Sequence, residues 1–160
     1  MTATETRTST DRIEKKVMLS VPRSKVWRAI TTAEQFGAWF GAKFDSAFAE
    51  GATMRGKMTS GGCGNEAEPN IELVVERIQP ERLFSYRWHP YALDPKMDYS
   101  AEAMTLVEFR LEEVAGGTRL TIIESGFDSL TAARRAEAFP KHESGWVSQI
   151  KNLERYVTGS

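Results

Sequence analysis

The side chains of this sequence best suited to acid–base chemistry are its two histidines, His89 and His142, together with Glu124 and Tyr86. An imidazole titrates near neutrality, so either histidine could act as a general base. His89 lies at the end of an alternating aromatic run, and His142 lies one turn before Trp146 in a helical stretch. Glu124 alternates with Leu120 and Ile122 and is expected to point inward with them. An inward carboxylate needs a partner or a raised pKa. A His142–Glu124 or a Tyr86–Glu124 pair is therefore the expected catalytic unit, weighed against a satisfied structural hydrogen bond. Alternation alone does not bring these groups together.

Other chemistries find less support. Two distant histidines and one cysteine lack zinc-ligand spacing, so no metal is expected. Cys63 sits in Ser60-Gly61-Gly62-Cys63-Gly64-Asn65 and reads as an exposed, incidental thiol able to form an intermolecular disulfide in air. That glycine run lacks a following Lys and a strand-to-helix setting, and no Ser-His-Asp signature is present, so no cofactor is expected. Arg134, Arg135 and Lys141 alternate with Glu137 and Glu143 and read as a solvated helix face.

A second group of residues suggests a cavity rather than a reaction. Trp39, Phe40, Phe44, Met54, Met58, Phe84, Tyr86, Trp88, Phe109, Phe127, Trp146 and Ile150 fall on faces that converge if a helix packs on a sheet. Such surfaces suit a small apolar ligand, with methionine as adaptable lining. The same residues could equally fill a core.

The elements that would position these groups follow from periodicity. Met1 to Asp11 is polar, has no apolar signal segment, and is expected to be a disordered tail. Order is expected from Ile13, with residues 12–160 forming one domain. Ile13, Lys15, Val17, Leu19 and Val21 share a strand face. Pro22 takes the first position of a short helix with Val26, Trp27 and Ile30 on its apolar stripe. Thr32 and Gln35 have capping-box spacing for a second helix ending near Phe40, with Gly41 as its cap. Phe44, Ser46 and Phe48 alternate, as do Met54, Gly56 and Met58. Strands follow at Ile71–Ile78, Leu83–Trp88, Thr105–Glu112 and around Leu120–Glu124, with a hairpin turn at Gly116-Gly117. Leu93 to Ala101 reads as a longer loop, and the part around Tyr91 to Met97 fits either a cavity lid or a dimer contact. Asp128 or Ser129 would start the last helical stretch. Pro140 should bend it near Phe139, and Trp146, Ile150, Leu153 and Val157 form one face beyond.

The order of these elements predicts an α+β fold. A curved antiparallel sheet of about six to seven strands is wrapped around a long C-terminal helix, with two short helices after the first strand. The totals agree with an ordinary cytoplasmic domain. The 160 residues carry 21 Lys and Arg against 22 Asp and Glu, a net charge of −1, which excludes a generic electrostatic nucleic-acid binder. A hydrophobic content of 41% excludes intrinsic disorder. No apolar run is long enough to insert in a membrane, and a lone cysteine fits a reducing compartment.

Several segments, in this order and spacing, resemble the activator-of-heat-shock-protein-90-ATPase-homologue-like branch of the START/SRPBCC superfamily over about Arg12 to Val157. They are Val21 to Ile30, Ala38-Trp39-Phe40-Gly41, Pro80 to Pro90, Gly117 to Thr121, Glu124-Ser125-Gly126-Phe127 and Gly145-Trp146. The resemblance implies a helix-grip fold with a cavity between sheet and helix. Relatives bind lipids, hormones or polyketides there, and some catalyse cyclisation or hydrolysis. The namesake domain stimulates a chaperone ATPase. Three expectations follow: a domain, monomeric or homodimeric, holding a small hydrophobic or amphipathic ligand; a cyclase- or hydrolase-type enzyme using His142, Glu124 or Tyr86; or a chaperone-interaction module.

Overall fold

The computed structural model describes residues 11–59, 70–91, 96 and 98–159. Cys63 and most of the proposed tail lie outside them. The described chain runs β1 (Arg12–Leu19), α1 (Arg23–Thr31), α2 (Ala33–Phe40), β2 (Ala42–Phe44), β3 (Thr53–Met58), β4 (Asn70–Gln79), β5 (Leu83–Trp88), β6 (Thr105–Val114), β7 (Gly117–Ser125) and α3 (Ala132–Thr158). All strands pair antiparallel in one sheet of order β1-β7-β6-β5-β4-β3-β2. The consecutive strands β1 and β2 thus lie at opposite edges, and α1 with α2 carries the chain across the span between them. This is the expected helix-grip architecture. No helix among the described residues is long and apolar enough to cross a membrane.

The strands follow the sequence alternation. Ile71, Leu73 and Val75 on β4, Phe84, Tyr86 and Trp88 on β5, and Leu120, Ile122 and Glu124 on β7 are all buried. A register shift between Val75 and Arg77 interrupts β4, the kind of irregularity that bends a strand and increases sheet twist. The turn joining β6 to β7 is Ala115-Gly116, one residue before the expected Gly116-Gly117, because Gly117 already pairs with Val114; Gly116 takes the positive φ.

Five other local expectations change. Asp11 belongs to the fold: its carbonyl accepts from Gly126 N and Phe127 N at 3.1 and 3.2 Å, and its carboxylate from Asp128 N at 3.0 Å. Pro22 is the N-cap of α1 rather than its first residue, and Trp27 is only half-buried while Ala29 takes the inner face. Thr32 does start α2, but its side chain makes no capping bond, and Gly41 closes the helix in the left-handed conformation. The Phe44–Phe48 alternation yields a strand of only three residues, because after Phe44 the chain leaves β3.

The fifth change is the largest. Asp128 and Ser129 sit in a separate 3-10 turn, Thr131 caps α3 by accepting from Arg134 N, and α3 continues through Pro140 for 27 residues. Pro140 removes the donor for the Ala136 carbonyl, yet both residues are exposed, so water can take the free oxygen. Contacts on the buried side of α3, described below, hold both halves against the sheet.

Two glycines on helices give opposite expectations. A Cβ at Gly37 would lie 2.2 Å from the Ala42 carbonyl oxygen, whereas one at Gly145 would meet nothing within 4 Å. In denaturant titrations Gly37→Ala should lose about 3 kcal/mol through overpacking, and Gly145→Ala should gain about 0.5–1 kcal/mol from helix propensity. Stabilisation by both would contradict the close passage of α2 against β2.

Candidate functional site

Glu124 sits on β7, between β1 and β6, with no exposed surface. Two donors reach each carboxylate oxygen. Trp88 Nε1 at the end of β5 and Thr105 Oγ1 at the start of β6 donate to Oε2 at 2.8 and 2.6 Å. Trp146 Nε1 and the His142 Nδ1 edge, both from α3, meet Oε1 at 2.8 and 2.7 Å. Burial alone would raise this carboxyl. The His142 imidazole beside it and the hydrogen bonds from His142, Thr105 and Trp88 outweigh burial and hold it below its ordinary value.

The second nitrogen of His142 defines the tautomer. Nε2 accepts the Tyr91 backbone N–H at 3.0 Å, so it carries the lone pair and the proton resides on Nδ1, facing Glu124. Protonating Nε2 would set two N–H groups against each other. Tyr91 adopts a positive φ of 50°, the conformation in which its amide meets the ring. The expected His142–Glu124 pair therefore exists, but neither partner keeps a free lone pair for a substrate proton.

Arg134 completes the tie between α3 and the segment after β5. It is buried, 8% exposed, contrary to the solvated face expected for it. Its guanidinium bonds Glu102 at 2.7 Å, Glu137 at 2.6 Å and the Pro90 carbonyl at 2.6 Å, and lies over the Tyr99 ring. Arg135 and Lys141, its neighbours in the sequence cluster, do face outward. Helical spacing pairs Arg134 with Glu137, but nothing in the sequence points to Pro90 or Glu102.

Tyr86 does not pair with Glu124. Its hydroxyl is fully buried with no hydrogen-bond partner, and burial, with the Glu124 charge, pushes the phenol well above its ordinary value. It stays protonated. His89 Nδ1 is likewise buried and unpartnered.

The space between sheet and helix is largely filled. Phe36, which the sequence reading omitted, stands at its centre. Its ring lies 4.8 Å from Trp39, 4.9 Å from Phe40, 6.2 Å from Tyr86 and 6.3 Å from Phe109. Its i, i+3, i+4 spacing with Trp39 and Phe40 was the available signal. Trp146 closes the layer from α3, 5.8 Å from Phe109.

Open space remains at one end. A cavity of about 620 Å³ is walled by Phe40, Met58, Ile71, Trp88, Tyr91 and Tyr99, with Asn70, Glu72, His89, Asp98, Ser100 and His142 as its polar lining. A smaller recess of about 250 Å³ lies along α3, beside Trp146, Gly145, Lys141 and Gln149, and shares Phe40, Trp88 and His142 with the first. Two grooves of about 630 and 570 Å³ run along β2 without reaching either histidine. Of the residues expected to line a cavity, Phe40, Met58, Trp88 and Trp146 do so at this end, and Phe44 lines the β2 grooves. Trp39, Met54, Phe84, Tyr86, Phe109, Phe127 and Ile150 pack in the core cluster.

Replacing Glu124 tests the network. Glu124→Gln presents an N–H₂ where donors already point and should lose about 3 kcal/mol of stability. Because the folded-state pKa is depressed, the wild-type carboxylate contributes stability above its unfolded value, and that contribution fades as pH falls through the folded value. Denaturation between pH 7 and pH 3 should show the gap between wild type and variant narrowing in acid. A constant gap would mean that the carboxylate charge is not what the network holds.

Several solved structures share this fold. A protein from Mesorhizobium loti superposes with a TM-score of 0.72 at 22% identity, covering 93% of this chain and 98% of that one. A solution structure from Arthrobacter aurescens superposes with a TM-score of 0.78 at 16% identity, covering 96% and 91%. DynU16, a putative protein in the dynemicin biosynthetic locus, has a TM-score of 0.69 at 22% identity, covering 92% of this chain and 47% of that one. No curated protein matches the chain. The family model for Activator of Hsp90 ATPase homolog 1-like protein matches residues 20–158, and the segments that carry the sequence resemblance fall inside that span or at its edge. The chain belongs to this family.

Proposed function

We propose that this protein binds a small amphipathic molecule in the cavity beside His89 and His142. The observation that carries this reading is the cavity's mixed wall. Phe40, Met58, Ile71 and Trp88 supply apolar surface, and His89 offers a buried nitrogen with no partner of its own. Ligand sites combine a mostly apolar hollow with few placed polar groups, and a volume of about 620 Å³ lies within the usual range. Binding fits better than catalysis, because Glu124 and His142 spend their acceptors on each other's surroundings and Tyr86 stays protonated.

Met58 is half-buried on β3 and faces the cavity. Met58→Trp should fill part of it with little loss of stability. The uncharged dye N-phenyl-1-naphthylamine should brighten on the wild type at one site, and the variant should bind it at least about tenfold more weakly, as expected when a bulky side chain occupies an apolar site. Equal brightening with both proteins would move the dye elsewhere and sink this reading.

A further inference from the structure

We infer that the cavity selects a ligand bearing a protonated amine on an apolar body. This rests on the binding reading above and names its ligand class.

The described cavity wall carries two carboxylates, Glu72 and Asp98, and no Lys or Arg. Asp98 is exposed and accepts the Ser100 N–H at 3.0 Å. Glu72 already meets Arg55, at 2.9 Å, on the outer side of β3 and β4. Behind Trp88 and His142 lies the buried Glu124 carboxylate, met by four hydrogen-bond partners. An entering carboxylate would meet like charge, with no Lys or Arg among the described lining residues to receive it. An entering ammonium would meet acceptor oxygens at Asp98 and Glu72.

The aromatic wall works in the same direction. Ring faces attract cations. Two cavity tyrosines already carry one: Arg134 lies 4.9 Å from the Tyr99 ring centre and Lys141 lies 6.0 Å from that of Tyr91. Among the described residues no cation lies over Phe40 or Trp88. An ammonium also brings several N–H donors, one of which can serve the unpartnered Nδ1 of His89.

Three probes with one body separate the head-group preference from simple apolar binding: 4-phenylbutylamine, 4-phenylbutan-1-ol and 4-phenylbutanoate. Each would be titrated at neutral pH against the indole N–H resonances, with Trp88 as the cavity reporter. The amine should bind about tenfold more tightly than the alcohol, the combined size of a modest cation–aromatic contact and an exposed ion pair, and the carboxylate should bind most weakly. The double variant Asp98→Asn, Glu72→Gln should cut the amine's advantage over the alcohol to about threefold, the share left to the aromatic faces, while leaving the alcohol unchanged. If the alcohol or the carboxylate matches the amine, the cavity reading stands and the amine inference fails. An amine preference that survives the double variant undiminished also overturns it. Failure of all three probes would remove the binding reading itself.

Discussion

A carboxylate without exposed surface is stable as an anion only if its oxygens are met by donors, and Glu124 has four from three elements. Each donor is itself placed by packing. Trp88 and Thr105 end and begin adjacent strands, and His142 and Trp146 are one turn apart on α3. The same charge therefore ties strands to helix, sets the tautomer of His142, and through it holds the Tyr91 amide. Losing one member leaves the others desolvated and short of a partner, which costs more than a surface ion pair of the same geometry contributes.

Around that charge the molecule divides into a dry part and an open part. Phe36, Phe84, Tyr86, Phe109 and Trp146 fill the middle of the gap between sheet and helix, ring against ring. The open space that the fold leaves is pushed toward the end where β4, β5 and the segment after β5 meet α3. His142 lies at the boundary, with one nitrogen on the buried carboxylate and its ring on the cavity wall. A pair that looks like acid–base machinery by residue type is, by hydrogen-bond count, a structural joint beside an open cavity.

α3 shows how tertiary contacts override a local rule. A proline in mid-helix ordinarily kinks or ends it. Here Arg134 is anchored to Pro90 and Glu102 on one side of Pro140, and His142 and Trp146 to Glu124 on the other. The missing hydrogen bond faces solvent, so continuing the helix loses little and preserves both anchors.

Much of this was legible in the residues themselves. Period-two and period-3.6 patterns located the strands and helices, because side-chain direction follows backbone geometry one residue at a time. The inward turn of Glu124 was readable for the same reason, and so was the face carrying Trp146, Leu153 and Val157. What periodicity cannot carry is partnership across the chain. Trp88, Thr105 and His142 are 36, 19 and 18 residues from Glu124. Arg134 carries the same charge as Arg135, yet only one is buried, since the Pro90 carbonyl lies on one side of the helix. Which aromatics fill the core and which wall the cavity was likewise undecided, because that depends on how far α3 stands from the sheet at each point. Local chemistry determined the elements and their faces; the strand register and the seating of α3 decided which polar groups meet and where space is left.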